Sequence, residues 1–595
     1  MLYDQSGDRL RGESERHSRR KQYAMMERRT FVKLGGMTVS GTLLGTTPLP
    51  ATSGPKTASD EIPEWLGTVV ALNDRRVSGL LDRQIEEEGS DVYGAVVDEH
   101  HIPTPHDTAS LIEALTIAYL YRQSRHHQSD RLRRALGIAA EALLRFQHED
   151  GSIDLRTTNF HSTPDTGFVV NSLAPVYVLL QRREELGALA EQLGQFLGRA
   201  GEILKVGGVH TPNHRWVVTA ALSWLHRIRP EEGYVERADQ WLREGVYVSP
   251  DGQFIEESVG IYSAIVDQML ITISRNFDRP QYLDPVRKNL DATLYFLRPG
   301  GELVTAPSSR RDRDEIRYVT PYYYPYRFFA IRDGDPRYAA VCRLIEAQWP
   351  ENLRGDLAVL LEDSSVWSGL PTAASVPTRY RRSFSHSGVH RIRDDDVDAA
   401  IVEEDPAFFS FVKGEAVLDA VRFASAFFGE GQFESEELSR TDDGFELTQE
   451  LEGPYYQPLA PEALPEEGAL SEMKQDDREE TEVQHLEQTA VVRRDGNGFV
   501  LDLTIAGTDG VPVAVEMGFR TEGELSNVEA VEGTDDAYLL TEGYGEYESG
   551  GRRITFGPGR ADHRWTDLRG AEPKLDLSSV YLTGYTPFEH TIEIR

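Results

Sequence analysis

The sequence predicts an α-helical part followed by an antiparallel β part. From about residue 60 to 370, apolar side chains recur at three-and-four spacing, which is the period of an amphipathic helix. A stretch containing Pro, Ser and Thr from Gly369 to Thr378 indicates a boundary. From about residue 380 to 595, apolar and polar residues alternate in short runs, as they do in half-buried strands. At 595 residues, the chain is long enough for two large domains.

The helical part consists of segments of similar length joined by short turns that carry Gly, Pro or Asp, such as Asp150-Gly151 and Pro299-Gly300-Gly301. Such segments pack as antiparallel hairpins. We therefore expect an incomplete (α/α) toroid over residues 60–370, because no sequence repeat indicates a stacked solenoid. The predicted helices are Leu111–Tyr121, Leu132–Phe146, Val169–Gln181, Leu186–Leu204, Val217–Leu225, Tyr234–Leu242, Ile261–Phe277, Pro285–Phe296 and Pro336–Trp349.

The second part, residues 380–595, is expected to be an antiparallel β-sandwich. Turns rich in Asp, Asn and Gly separate its strands. Residues 461–483 are charged and poor in apolar side chains, which indicates a surface loop. The predicted strands are His386–Ile392, Ala399–Glu403, Phe408–Val412, Phe499–Ile505, Pro512–Phe519, Ile554–Phe556, Val580–Thr583 and Thr591–Ile594.

Residues 1–54 resemble a tail followed by a twin-arginine export signal. Arg28-Arg29 precede Phe31, Lys33 and a weakly apolar run that ends near Leu44. The run is too short and too rich in Gly and Thr to span a bilayer well. We expect export in the folded state and no stable membrane insertion after the signal is removed. The other interpretation is an accidental arginine pair in a basic tail.

Processing of this signal is expected between Ala51 and Gly54. Residues 1–24 stand unusually far ahead of the paired arginines, so Met25 and Met26 are candidate translation starts.

The charge balance is strongly acidic, with 98 Asp and Glu against 63 Lys and Arg and a net charge of −35. Such a surface repels itself at low salt, and a Debye length of about 3 Å at 1 M salt screens that repulsion. The composition therefore favours a halophilic source, with an ordinary acidic protein as the alternative. No basic stripe is present, which argues against nucleic acid as a partner.

The composition also limits the chemistry. The single cysteine, Cys342, excludes an intramolecular disulfide and a cysteine-based metal cluster, and its helical context predicts a buried side chain. The sequence contains neither a recognisable metal-ligand spacing nor a phosphate-binding glycine loop. We therefore predict no cofactor, and the sequence carries no signal for an oligomeric state.

Two segments carry the candidate catalytic groups. Asn213 and His214 open an apolar helical run, and Asp251-Gly252 leads through a loop to Tyr262 at another helix start. An amide, an imidazole and a phenol are the groups needed to remove a proton from a carbon next to a carboxylate. The amide and the imidazole stabilise the charge on the carboxylate, while the phenol acts as base and then as acid.

This chemistry requires the phenol of Tyr262 to have a pKa well below about 10, so we expect a cation beside it. Arg310, Arg311 and Arg313 lie in an arginine-rich segment that is unexpected in so acidic a chain. They would also form a local positively charged binding site for a polyanion.

Each of these residues also has a purely structural interpretation. The alternatives are a helix N-cap for Asn213, a solvated first turn for His214, a core position for Tyr262, a surface ion-pair cluster for Arg310 to Arg313, and first-turn carboxylates favoured by the helix dipole for Glu256 and Glu257.

Sugar binding is predicted for two further segments. The polar loop 157–166 combines Asn, His and Asp with Phe160, which can stack on a sugar ring, although Asp165 or Thr166 can instead cap the next helix. The aromatic segment 322–327 suits either a glycan cleft or a helix core. The predicted substrate-binding residues are Asn159, His161, Asp165, Trp216, Glu257, Arg311 and Tyr323.

In the β part, His386 and His390 are four residues apart, which would place them on one face of a strand, with Arg391 and Arg393 on the other. Either pair could reach the cleft from the second domain. The alternative is a solvated strand face.

Together these features resemble the large polysaccharide lyases, both the hyaluronate, chondroitin AC and xanthan lyase group and the heparinase II/III and alginate-lyase-like group. The resemblance implies that Asn213 and His214 neutralise the substrate carboxylate and that Tyr262 is the catalytic tyrosine. It also matches the loop that begins at Asp251. Glu257 departs from the pattern, because the hyaluronate-lyase group has a histidine there. Either His214 supplies the imidazole, or the elimination chemistry is altered or absent.

Three hypotheses follow. The first is an exported lyase that cleaves an acidic, uronate-containing polysaccharide by metal-independent β-elimination, with Asn213, His214, Tyr262 and Arg310 as catalytic residues. The second is a toroid glycoside hydrolase with a carboxylate pair drawn from Glu256, Glu257 and Asp165. The third is a non-catalytic glycan-binding surface protein.

Overall fold

The computed structural model describes residues 61–595 except 442 and 465–477, and these residues belong to one compact unit. The predicted export signal at 1–54 lies outside the described residues, as does much of the predicted loop at 461–483. Among the helices that are described, none combines the length and the apolar character needed to cross a lipid bilayer.

The helices of the described chain precede its two large sheets, apart from a short 3-10 turn at Pro461–Ala463. Each helix predicted from periodicity overlaps an observed one. The α-helices are α1 (Glu64–Asp82), α2 (Pro105–Leu120), α3 (Asp130–Phe146), α4 (Thr163–Leu180), α5 (Gly187–Val206), α6 (His214–Ile228), α7 (Glu232–Leu242), α8 (Tyr262–Phe277), α9 (Leu283–Thr293), α10 (Tyr323–Asp333), α11 (Pro336–Gln348) and α12 (Leu357–Glu362). Further 3-10 turns lie at Pro280–Tyr282, Pro299–Gly301, Thr320–Tyr322, Pro350–Asp356 and Ser364–Val366.

Four helices form a consecutive series of contacts, α2 with α4, α4 with α6, and α6 with α8. α2 and α4 are buried on most sides, which places them inside the helical part. Local chemistry sets where they begin: Thr104 and Ser162 accept cap hydrogen bonds, and each is followed by a proline in the first turn. Closure of the helices into an incomplete (α/α) toroid stays a prediction, as does the division at residues 370–380.

Two large sheets follow the helices, and their described strand pairs are antiparallel except for Ala537–Leu539 with Ser578–Tyr585, which run parallel. Their strands are β7 (Arg379–Phe384), β8 (Val389–Asp394), β9 (Val397–Val402), β10 (Phe409–Lys413), β11 (Ala416–Ser425), β12 (Glu437–Arg440), β13 (Gly444–Tyr456), β14 (Glu480–Asp495), β15 (Gly498–Gly507), β16 (Pro512–Phe519), β17 (Glu524–Ser526), β18 (Glu529–Ala530), β19 (Ala537–Leu539), β20 (Gly545–Ser549), β21 (Arg552–Gly557), β22 (Ser578–Tyr585) and β23 (Phe588–Ile594). The helical part holds six short strands, β1 (Val96–Val97), β2 (Pro103–Thr104), β3 (Ile153–Leu155), β4 (Asn159–Ser162), β5 (Glu302–Leu303) and β6 (Arg317–Tyr318).

In the described residues, one sheet has nine strands in the order β18-β19-β22-β16-β11-β10-β9-β8-β7. The other has eight strands in the order β12-β13-β14-β15-β23-β21-β20-β17. Apolar side chains from both sheets form a single core, in which the rings of Phe409 and Phe499 lie 5.3 Å apart. This packing is typical of a β-sandwich.

The nine-stranded sheet also contacts the segment that follows α9. Arg391 is fully buried, pairs with Asp398 at 2.7 Å and donates to the Tyr295 carbonyl at 3.1 Å. Arg393 donates to the Leu297 carbonyl at 2.9 Å. The solvated strand face considered for these arginines is therefore wrong, and they are also no part of a cleft. Their guanidinium groups satisfy backbone carbonyls that would otherwise be buried without donors.

Cys342 is buried in α11, as predicted. Burial raises the pKa of its thiol, so the side chain acts as a small apolar group.

Candidate active site

Polar side chains from the first turns of α2, α4, α6 and α8 form one cluster. His106 at the start of α2 lies 3.4 Å from the Asp165 carboxylate in α4. The charges of Asp165 and Arg310 both act on His214, the first residue of α6. The Arg310 guanidinium in turn lies 4.6 Å from the ring centre of Tyr262, the first residue of α8. The structure thus brings together Asp165, His214, Tyr262 and Arg310 from separate parts of the sequence.

Asn213 occupies the N-cap position of α6, but its side chain makes no capping hydrogen bond. Its oxygen accepts a hydrogen bond of 2.8 Å from the Thr211 hydroxyl. Its amide nitrogen is buried and has no partner in the described chain. The N-cap interpretation therefore fails, and a buried amide donor is left free for a ligand.

His214 lies against the rings of Phe168 and His210, which contact it edge-on at 5.9 and 4.8 Å. It is only 9% exposed, so the interpretation as a solvated first-turn residue is wrong. Burial is the main cause that lowers the pKa of His214 to about 4, and the neighbouring His210 adds to it, whereas Asp165 opposes it. At neutral pH the imidazole is therefore uncharged, with one ring nitrogen as donor.

Tyr262 is held by the turn that precedes α8. Its backbone nitrogen donates to the Ser258 hydroxyl at 3.0 Å. The buried Asp312 carboxylate fixes this turn, because it accepts from the Ser258 hydroxyl at 2.8 Å and from the Gly260 nitrogen at 2.9 Å. It also accepts from the Ser308 hydroxyl at 2.6 Å. Asp312 is thus a positioning residue for Tyr262 and ties the turn to the arginine-rich segment.

Arg310 lies between Tyr262 and the buried carboxylate of Glu256, with which it forms an ion pair of 3.1 Å. Burial raises the pKa of Glu256 to about 7, although Arg310 acts in the opposite direction. The Glu256 side chain therefore changes charge near neutral pH, directly beside the arginine that covers Tyr262.

The three predicted arginines have different surroundings. Arg310 belongs to the cluster, whereas Arg311 is exposed and has no ion-pair partner among the described residues. Arg313 pairs with Asp405, which lies between β9 and β10. This third arginine therefore joins the helical and β parts. Its charge is paired with Asp405 and not with a residue of the cluster.

Of the predicted sugar-binding loop, Asp165 and Asn159 belong to the cluster. Asp165 is buried and accepts from the Asn159 amide at 3.0 Å. Burial on its own would raise its pKa, but hydrogen bonds from His106, Ser162 and Asn159 hold the pKa below its usual value. Asp165 therefore stays charged at neutral pH.

The side chain of His161 does not contact the cluster. It is 60% exposed as a side chain, pairs with Asp150 at 3.2 Å and stacks on His148 at 3.8 Å. Phe160 beside it is 66% exposed. The loop thus offers an aromatic face to solvent near Asn159, while His161 is engaged with its neighbours.

The β part reaches the loop that precedes α8. Asp251 accepts from the backbone nitrogen atoms of His386 and Ser387 at 2.6 and 3.2 Å. The Ser387 hydroxyl donates to Glu257 at 3.4 Å, and Glu257 has the positive φ of 48°. Glu257 is therefore held in a sparsely populated backbone conformation where two parts of the chain meet.

This arrangement corrects the prediction for the two histidines. His386 lies in the turn between β7 and β8, whereas His390 lies in β8 and is buried between Ser383 and Glu403. They do not share one face of a strand, because the strand begins at Val389.

Two predicted substrate-binding residues lie in the core. Tyr323 is fully buried, and its hydroxyl donates to Glu346 at 2.8 Å, so its placement in a glycan cleft is wrong. Trp216 is 4% exposed and lies beneath Arg215 at 4.8 Å. The alternative, an aromatic helix core, describes the segment around Tyr323.

Two histidines of the cluster, His106 and His210, were not predicted from the sequence. A signal existed for His106, because Thr104-Pro105-His106-Asp107 has the same cap, proline and aspartate as Ser162 to Asp165 at the start of α4. No comparable pattern marks His210, which is placed by the short segment between α5 and α6.

No family model and no curated protein matches this sequence. Solved structures do match, and they include polysaccharide lyases. A xanthan lyase from Paenibacillus is 11% identical with a TM-score of 0.55, over 89% of this chain and 57% of the lyase. The chain thus spans little more than half the length of that enzyme.

A chondroitin AC lyase from Streptomyces coelicolor A3 is 13% identical with a TM-score of 0.51, over 91% of this chain and 80% of the lyase. A heparinase III structure is 11% identical with a TM-score of 0.50, over 92% of this chain and 87% of that chain. At these identities the likeness shows the fold alone. It confirms at the level of fold the resemblance that the sequence indicated.

Proposed function

We propose that this protein is a polysaccharide lyase that cleaves a uronate-containing acidic polysaccharide by β-elimination. One observation carries the proposal: the free buried amide of Asn213 and the uncharged His214 lie in one cluster with Tyr262 and Arg310. A donor pair without a partner among the described residues, next to a phenol covered by a cation, suits a substrate that carries a carboxylate.

In the proposed reaction, the Asn213 amide and one His214 ring nitrogen donate hydrogen bonds to the uronate carboxylate. The Tyr262 oxygen removes the C5 proton, and the electron pair of the C–H bond forms the C4=C5 double bond. The C4–O4 bond breaks, and the departing oxygen takes the proton from Tyr262. The Arg310 guanidinium stabilises negative charge on the phenol oxygen, over whose ring it lies.

Substrate binding is proposed for residues around this centre. Asn159 and Asp165 offer hydrogen-bonding groups to sugar hydroxyls, and Phe160 offers an exposed ring. Arg311 is exposed and cationic, while Glu257 lies in the loop that precedes α8 and contacts Ser387 of the β part. A local cation is needed here because the chain as a whole has a net charge of −35.

Export by the twin-arginine pathway is proposed from the sequence of residues 27–44. An exported enzyme meets polysaccharides outside the cell, so the proposed export agrees with the proposed substrate class.

The experiment that tests the function is cleavage of a uronate polysaccharide in heavy-oxygen water. Elimination forms a C4=C5 double bond without adding water, so products whose new reducing ends are reduced with borohydride before they exchange oxygen with water carry no label. Hydrolysis places a labelled oxygen in every new reducing end. Unlabelled, unsaturated products support the lyase, and labelled products overturn it.

A glycoside hydrolase is the second candidate, and two carboxyl groups favour it. Burial raises the pKa of Glu256 to about 7. Burial also acts to raise the pKa of Asp165, but the hydrogen bonds that Asp165 accepts lower it below its usual value. Two carboxyl groups with pKa values moved apart are typical of a general acid and a base or nucleophile. The labelling experiment distinguishes this candidate directly.

A further inference from the structure

A cavity adjoins the helix that begins at Tyr262 and shares none of the charged groups of the candidate active site. It has a volume of about 420 Å³ and is bounded by Arg76 of α1, Gln268 of α8 and residues 351–356. Ala264 and Ile265, in the first turn of the helix that begins at Tyr262, form part of its wall. Its size falls within the roughly 300–1,000 Å³ of small-molecule sites.

Two arginines, Arg76 and Arg354, line this cavity. Within the described chain neither forms an ion pair, although the Glu351 carboxylate of the same lining acts electrostatically on Arg354. Burial, and then the positive charge of Arg76, lower the pKa of the Arg354 guanidinium. Two neighbouring guanidinium groups without ion-pair partners form a ready site for a carboxylate, which each can bind through two parallel hydrogen bonds.

The rest of the lining suits sugar hydroxyl groups. The side chains of Gln268, Thr320, Asn352 and Glu351 offer both donors and acceptors. Asp356 also lines the cavity, and burial raises its pKa to about 7, against a hydrogen bond from the Tyr324 backbone. This carboxyl group therefore repels an anion less than a fully charged aspartate would.

We propose that this cavity is a second binding site for a uronate sugar, with the carboxylate held between Arg76 and Arg354 and the hydroxyl groups bound by the neutral and acidic side chains. The arginine pair by itself indicates that the cavity binds an anion. The choice of a uronate sugar as that anion rests on the proposed function. The sugar is either a unit of the bound polymer or a released fragment, and both present the same chemistry.

The test is calorimetric titration of the full chain with sodium glucuronate, which has no glycosidic bond to cleave. We expect Arg354→Gln and Arg76→Gln each to weaken glucuronate binding by about tenfold or more, the loss of a charge-assisted bidentate contact. Arg75→Gln is the matched control, because Arg75 is the exposed neighbour on α1 and does not line the cavity. Its binding should stay within about twofold of wild type. Thermal unfolding of each variant shows that it is folded.

A second titration uses a uronate polymer in the Tyr262→Phe background. If Arg354→Gln weakens polymer binding there, the site holds a unit of the bound polymer; if it weakens only glucuronate binding, the site holds a released fragment. Either result supports the proposal. It is overturned if folded wild-type protein does not bind millimolar glucuronate, if Arg354→Gln binds it equally well, or if glucose binds as tightly. None of these outcomes depends on turnover, so the lyase proposal can fail while this one stands.

Discussion

Among single residues of the candidate site, Asn213 leaves a buried amide donor unpaired. It is 1% exposed, and its amide nitrogen has no partner in the described chain. A buried donor left unpaired costs about 1–3 kcal/mol. A capping role for α6 would engage only the side-chain oxygen, so it would not account for the buried amide nitrogen. The cost is understandable if a substrate carboxylate accepts the hydrogen bond.

Asn213→Asp is nearly isosteric, removes the donor and adds a negative charge where the substrate carboxylate is expected. We predict a fall in kcat/KM of about 100-fold or more, the size seen when one donor to a developing charge is removed. Asn497→Asp, in the exposed turn between β14 and β15, should leave kcat/KM unchanged. Steady-state kinetics of both variants provide the measurement, and equal activity of Asn213→Asp and wild type would remove Asn213 from the mechanism.

The titration of Glu256 makes the stability of the folded chain depend on pH. Its pKa rises from the usual 4.5 to about 7 in the folded state, with burial as the main cause. The folded chain therefore keeps a proton that the unfolded chain releases between these values, so stability decreases as the pH rises through this window. The ion pair with Arg310 lowers the pKa of Glu256, but by less than burial raises it.

Glu256→Gln keeps the uncharged form at every pH. We predict that it raises the free energy of unfolding at pH 8 by up to about 3 kcal/mol and leaves it unchanged at pH 4, where the wild-type carboxyl is protonated in both states. Denaturant unfolding at the two pH values is the measurement. Glu149→Gln, on an exposed residue, controls for loss of a charge. A gain of equal size at both pH values would contradict the assignment.

The residues show what a sequence can and cannot predict here. Asn213, His214 and Tyr262 could be proposed from the sequence because each stands at the start of an apolar helical run, and their catalytic roles stay a prediction. Tyr323 was misplaced because an aromatic cluster has the same composition in a cleft as in a core, and only its full burial decides between them. His210 is brought to His214 by tertiary packing, which no local pattern encodes.

At the level of secondary-structure elements, the turn before α8 controls the position of Tyr262. Its geometry depends on one buried carboxylate, Asp312, which accepts hydrogen bonds from Ser258, Gly260 and Ser308. The turn and the arginine-rich segment are therefore one structural unit. A displacement of about 1 Å at such a site can cost about 100-fold in rate.

Asp312→Asn cannot accept all three hydrogen bonds, because one of its side-chain atoms is a donor. We predict that kcat falls by about 10- to 100-fold while KM stays within about threefold, since the substrate-binding groups are untouched. Ser258→Ala, which removes one of the three bonds and also the acceptor of the Tyr262 backbone nitrogen, should give a similar loss, and Asp284→Asn on the exposed surface of α9 should give none. A rise in KM at constant kcat would show that Asp312 supports binding and not the position of Tyr262.

Element types followed from hydrophobic period, but element ends did not. His386 to Ile392 reads as a continuous strand, yet residues 385–388 form a turn, because their backbone groups bond to Asp251 in the helical part. Arg391 and Arg393 show the same limit. A charged residue in a strand predicts a solvated face, whereas these two are buried against carbonyl groups of another part of the chain.

The chain as a whole carries a net charge of −35, which its fold must tolerate. Raising the salt concentration from 0.15 to 1 M shortens the Debye length from about 8 to about 3 Å. We predict that the melting temperature rises by several degrees between these concentrations of KCl, because the screened repulsion between carboxylates no longer opposes the compact state. Calorimetric scans provide the measurement, with sucrose as an uncharged control. A melting temperature that is constant or falls with salt would contradict adaptation to concentrated salt.

The lyase proposal is tested most directly by following the ultraviolet absorbance of the C4=C5 double bond, with a panel of uronate polysaccharides and wild-type, Tyr262→Phe and Tyr544→Phe proteins. We predict that the absorbance rises on at least one substrate with wild type and with Tyr544→Phe, whose tyrosine lies exposed in the β part. Tyr262→Phe should bind the same substrate and turn it over about 1,000-fold more slowly, the loss of a general acid and base. New reducing ends without a rise in absorbance, or full activity of Tyr262→Phe, would contradict it.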